Sequence, residues 1–111
     1  DREMALIAVT HHESEEGEVR EVEIGVARYA INPDGESCEF ALVISDRWQH
    51  RGIANKLMTA LMDTARSRGL KMIQGEVLSN NHNMLKLMSK LGFSGILDEE
   101  DRNITLVNRN L

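Results

Sequence analysis

Apolar positions recur along the chain with two different periods. Residues 4–10, MALIAVT, form a short apolar run and predict a short buried strand. HHESEEGE then breaks it as a polar, hairpin-like loop. Residues 19–31, VREVEIGVARYAI, alternate well enough for a long strand with one half-exposed face. NPDGE at 32–36 has turn chemistry, because proline presets φ and Asp-Gly accepts positive φ. CEFALVI at 38–44 is almost continuously apolar, which predicts a strand covered on both faces.

The period then changes. Ile53, Leu57, Leu61 and Ala65 repeat every four residues, and Ala54, Met58 and Met62 widen the stripe. That is an amphipathic helix over 52–68, with Gly69 placed to end it. MIQGEVL at 72–78 reads as a strand. Asn81 to Leu91 reads as a second helix, stopped by Gly92. Short strands at 93–97 and 103–107 flank the acidic turn DEEDRN. The order βββ–α–β–α–ββ predicts an α/β (α+β) fold, a mixed sheet covered by helices. The third strand, first helix and fourth strand make one βαβ crossover.

Composition narrows the class. At 111 residues the chain is one domain or part of one, with 41% apolar and 28% charged residues. Aromatics are only 4%, so the core must be mainly aliphatic. Cys38 is the only cysteine, which rules out an intrachain disulfide and fits a reducing, cytoplasmic setting. No apolar stretch is long enough to span a membrane, and DREMALIAV lacks a signal-peptide layout. The net charge of −5 argues against general nucleic-acid binding. Acidic side chains crowd residues 1–39, while Arg47 to Lys71 hold six basic residues and one acid. That basic stretch suits either a solvated helix face or a small polyanion.

The chemistry concentrates in DRWQHRGIA, residues 46–54, between the third strand and the first helix. The opening N–H groups of a helix lack intrahelical partners and carry partial positive charge, which makes an anion site. Gly52 lets backbone approach a ligand, and Gln49, His50 and Arg51 could add donors. Neither GxxxxGK[ST] nor GxGxxG is present, so this is no standard nucleotide loop.

Gln49-His50-Arg51-Gly52-Ile53-Ala54 resembles the coenzyme A pyrophosphate loop of the GNAT N-acetyltransferase family, whose pattern is Gln/Arg-x-x-Gly-x-Gly/Ala. NHNMLKLMSKLGF, Asn81 to Phe93, is similar to the family's later segment. DREMALIAV, EFALVISD and NNHNMLKLMSKLGF look most like the acetyltransferase domain of bacterial Pat-type protein lysine acetyltransferases. The resemblance implies acetyl-CoA as cosubstrate, no metal, and an amine acceptor. That acceptor would be a protein lysine, as in acetyl-CoA synthetase, or a small amine. A non-catalytic acyl-CoA-binding regulatory domain is the alternative of another class. An acyl-CoA-synthetase-like region often accompanies such domains.

Residue by residue, the resemblance puts the glutamate base at Glu39, inside CEFALVI. Burial there would favour its neutral form and suit it to proton transfer near neutral pH. It puts coenzyme contacts at the backbone of Leu42, Val43 and Ile44, where the strand splays from its neighbour. Further contacts fall on residues 49–54 and on Asn81, Met84 and Met88 of the second helix. Many members carry a tyrosine acid where this chain has Met88, so the acid stays unassigned. Cys38 as nucleophile and His11-His12-Glu13 as metal ligands have no supporting spacing. The family also begins with a strand and helices that precede MALIAV. The chain is therefore expected to be a single GNAT domain, 1–111, truncated at its N-terminus, with an exposed apolar patch near its first strand.

Overall fold

The computed structural model describes residues 2–111. Its elements follow the expected order: β1 (Glu3–Glu13), β2 (Val19–Ile31), β3 (Ser37–Ile44), α1 (Ile53–Ser67), β4 (Met72–Leu78), α2 (His82–Lys90), β5 (Ser94–Leu97) and β6 (Ile104–Asn110). A single 3₁₀ turn, Asp46–Trp48, sits between β3 and α1. One six-stranded sheet forms in the order β1-β2-β3-β4-β6-β5. All neighbours are antiparallel except β3 and β4, the parallel pair joined through α1.

Local chemistry explains most boundaries. In the turn after β2, Asp34 accepts hydrogen bonds from the N–H groups of Glu36 and Ser37 and from the Ser37 hydroxyl. These bonds hold its carboxyl below the usual carboxylate range. Both helices end in the same way. Leu70 N–H donates to Ala65 O and Gly69 N–H to Arg66 O, while Phe93 N–H donates to Met88 O and Gly92 N–H to Ser89 O. This double closure requires a left-handed residue, supplied by Gly69 and Gly92.

The core lies on one face of the sheet. Leu57, Met58, Leu61, Met62 and Ala65 of α1 pack with Met88 of α2 and Phe93 against Ala27, Tyr29, Cys38, Phe40, Ile73, Val77 and Val107. Alternate strand residues, among them Arg28, Ala30, Glu39, Ala41, Val43 and Glu76, are exposed on the other face. The expectation that CEFALVI is covered on both faces is therefore corrected. Its apolar run alternates between core and open surface, because both helices lie on the same side.

β1 also differs from expectation. It is not a short buried strand but an eleven-residue edge strand, half-buried at best. It runs on through His11, His12 and Glu13, which the sequence placed in a loop. Backbone pairing with Val19–Glu23 carries those polar residues outward, and a bulge at Ala8/Val9 shifts the register. β6 likewise extends to Asn110, because its polar end pairs with Met72–Gln74 of β4. Ile7, Val9 and Val43 are exposed.

Candidate functional site

β3 and β4 pair only over Ser37–Glu39 and Met72–Gln74. β3 continues to Ile44 beside β2, and β4 to Leu78 beside β6. Backbone groups of residues 40–44 on the β4 side thus have no strand partner. The divergence starts at Phe40, whose ring lies over Gly75. A Cβ on Gly75 would stand 2.5 Å from Phe40 Cε1. The ring is held from behind by an edge-on contact with Phe93, with centroids 5.5 Å apart.

The gap opens into a cleft of about 710 Å³. Leu42, Val43 and Ile44 form one wall, Gln49, His50 and Gly52–Ala54 the end, and Asn81 and Met84 the opposite wall. Residues separated by some forty positions in sequence thus meet in one recess. Its size suits a cofactor-sized ligand.

The end wall is shaped by two left-handed residues, His50 at φ 65° and Gly52 at φ 78°. A left-handed histidine is uncommon and costs energy, and such strain concentrates at binding sites. Gly52 is the N-cap of α1 and offers no side-chain acceptor to the first turn. Lys56 N–H already returns to Gly52 O. The N–H groups of Ile53, Ala54 and Asn55 therefore end the helix without a side-chain cap, and no acidic residue lies in that turn. This is the electrostatics of an anion site. Gln49 has a supporting role: its side-chain N–H donates to Ile44 O (3.4 Å) and Asp46 Oδ1 (3.2 Å), fixing the turn. Asn81 caps α2, its Oδ1 accepting from Met84 N–H at 3.1 Å.

Two expected residues lie elsewhere. Arg51 is not in the cleft lining; its guanidinium stacks on Trp48, 4.9 Å from the ring centroid. Met88 is 1% exposed and belongs to the core. It faces inward because α2 turns Met88 toward the sheet while Asn83, Lys86, Leu87 and Lys90 line the cleft. Those four, with Asp46, Trp48 and Asn55, are cleft residues that the sequence reading missed. The i, i+3, i+4, i+7 spacing of 83, 86, 87 and 90 was the available signal.

Glu39 lies on the open face, exposed rather than buried. The expectation that Glu39 is buried is therefore corrected, because the helices pack against the opposite face of its strand. Gln74 Nε2 donates to Glu39 Oε1 at 3.3 Å. Glu39 lines a second recess of about 580 Å³, with Glu3, Arg28 and Ala30 among its neighbours. It is three residues before Leu42, roughly 10 Å along the strand. Ala41 of this recess and Leu42 of the cleft are consecutive residues of β3.

Cys38 is fully buried, and burial pushes its thiol up to about 11. A nucleophile needs the opposite shift. His11 faces Glu21 across the hairpin at 3.7 Å, and His12, next along the strand, points to the other side. Among the described residues, no three acidic, histidine or cysteine side chains gather as a metal site. Among the described residues, no helix is long and apolar enough to cross a membrane.

Known proteins give the same picture. The model of the Acetyltransferase (GNAT) family matches residues 8–93. An acetyltransferase of Pseudomonas aeruginosa is 38% identical over 98 residues, which cover 88% of this chain and 50% of that protein. The chain thus spans about half the length of the curated relative it matches. The GNAT domain of Streptomyces lividans PAT superposes with a TM-score of 0.77 at 24% identity, over 99% of this chain and 61% of that one. The yncA structure of Salmonella typhimurium, solved with its cofactor acetyl-CoA, gives 0.66 at 24% identity over 81% and 58%. At those identities the two structures speak for the fold. With the family match spanning most of its length, this chain belongs to the acetyltransferase (GNAT) family.

Proposed function

We propose that the chain binds acetyl-CoA in the cleft and serves acetyl transfer to an amine, a protein lysine side chain. The observation that carries this reading is the uncapped first turn of α1, set behind two left-handed residues at the mouth of the β3–β4 gap. Bound acetyl-CoA would supply the acetyl thioester. The N–H groups of Ile53, Ala54 and Asn55 hold the pyrophosphate charge. The free edge of β3 at Leu42–Ile44 offers backbone donors and acceptors to an extended amide-bearing arm. Such a donor near a thioester carbonyl stabilises developing negative charge without a special side chain.

An amine must be neutral to attack, and a lysine is mostly protonated at neutral pH, with a pKa near ~10.4. Glu39, exposed beside the gap, accepts that proton in this reading. Met88 has no proton to give and is sealed in the core, so the chain supplies no acid from that position. The lysine acceptor rests on the Pat-like sequence segments and on the fold shared with the PAT domain. An acceptor such as acetyl-CoA synthetase and a partnering synthetase-like region belong to the same proposal.

The test is Glu39→Gln in the full-length protein. Turnover with a lysine acceptor should fall by roughly 10²–10⁴-fold while acetyl-CoA affinity is kept. Near-normal turnover would remove Glu39 from the mechanism. Binding of coenzyme A with no acetylation of lysine or small amines would leave a regulatory binding domain.

A further inference from the structure

The recess that holds Glu39 lies on the open face of β1, β2 and β3, and its charges form a checkerboard. Arg28 stands across from Ala5 and Ala41, and Ala30 stands across from Glu3 and Glu39. All six line the recess. Three alanines keep its floor low, so the space exists because no larger side chain fills it. Arg28 is the only basic residue of the lining. Opposite charges on a sheet support each other best when directly opposed. Here each charge faces methyl groups instead, and the two carboxylates sit on the diagonals from Arg28, roughly 7–8 Å away by strand geometry. Among the described residues, Arg28 forms no ion pair with either of them or with any other acid. Glu39 accepts from Gln74 instead.

A guanidinium presents a planar fork of donors that matches a carboxylate. An unpaired one beside a carboxylate that receives an amine suits an acceptor bringing both an ammonium group and a carboxylate. Resting on the lysine-acetylation reading above, we propose that Arg28 selects lysines that have an acidic residue two positions away. The spacing follows from strand geometry. Residues i and i+2 of an extended peptide share one face and lie roughly 6.5–7 Å apart. That is close to the diagonal from Glu39 to Arg28. With the lysine amine at Glu39, an acidic side chain two positions away reaches Arg28. An acid at the adjacent position points away from the sheet.

The experiment measures acetylation kinetics of the full-length protein on lysine peptides of equal length. Glutamate is placed one or two positions from the lysine on either side, with glutamine at the same place in the matched control. Exposed charge pairs are individually weak. Glutamate at a position two away should therefore lower KM by about 3–5-fold against its control, with kcat unchanged. Glutamate next to the lysine should have no such effect. Added salt should narrow the preference. Arg28→Gln should abolish it while leaving the kinetics on glutamine peptides as they were. Arg28→Lys should keep part of it, because the charge stays and the fork is lost. Arg28→Glu should reverse it in favour of a basic residue at that position. Arg20→Gln, the same charge change at the far end of β2 across from His12, should preserve it.

Equal KM for glutamate and glutamine peptides in the unsubstituted protein would overturn the proposal while leaving lysine acetylation intact. So would a preference that survives Arg28→Gln, which would assign it to another residue. Acetylation of none of the peptides, with coenzyme A still bound, would sink the lysine reading itself and the proposal with it.

Discussion

Replacing Gly52 by alanine separates conformational strain from packing at the site. Gly52 has φ 78°, and a Cβ built on it meets no protein atom within 4 Å. Sterics with the rest of the fold therefore contribute nothing, and the effect is confined to backbone. A left-handed L-residue costs about 1–2 kcal/mol. That penalty can appear in either of two places. If the variant loop keeps its left-handed form, folding stability falls by the full amount and affinity for coenzyme A is unaffected by strain. If the loop relaxes when free, stability is spared and the ligand must pull it back, weakening affinity by about 5–30-fold for the same energy. The sum of the two losses is fixed by the bound geometry. Urea denaturation and calorimetry on the same samples measure both terms. Gly35→Ala is the control: it has φ 69°, also with no atom within 4 Å, in the β2–β3 turn away from the cleft. It should lose stability alone. Gly52→Ala with unchanged stability and unchanged affinity would refute the claim that the bound loop needs a left-handed residue 52.

Other expectations follow from the same geometry. Gly75→Ala should destabilise by about 1–3 kcal/mol through overpacking, because its Cβ would meet the Phe40 ring. Adding Phe40→Leu should recover part of the loss in urea melts; strict additivity would exclude that contact. Met88→Ala should cost about 2–5 kcal/mol of stability, with turnover per folded molecule retained, since Met88 is core and not cleft. A selective loss of turnover at full stability would put it back in the mechanism. Cys38 should react with thiol reagents only as the protein unfolds. Its raised thiol keeps its proton up to about 11, while the unfolded chain loses it near 9. Its contribution to stability is therefore complete below pH 9 and lost as pH rises to about 11, a slope that Cys38→Ala should remove.

Features fixed by short-range chemistry were legible in the sequence. Gly69 and Gly92 end their helices because the double closure needs a left-handed residue at that position. Asn81, read as the start of the second helix, stands at its N-cap. The 49–54 loop and the Asn81 helix were readable as a pair, since each is a contiguous pattern with its own local reason. Which strand face meets water was not readable. CEFALVI and MALIAVT have apolar runs that suit a doubly covered strand, yet α1 and α2 both settle on one side, leaving Glu39 and Val43 in the open. Nor could the sequence separate Met88 from Lys86 and Lys90 by function. Only the rotation of α2 against the sheet sends the first into the core and the other two into the cleft. The β3–β4 divergence is likewise tertiary. It begins where the Phe40 ring rests on Gly75, thirty-five residues away in the chain, and is held there by Phe93. Turns and caps are decided by a few neighbouring bonds; burial, cleft and gap are decided by which distant side chains compete for the same space.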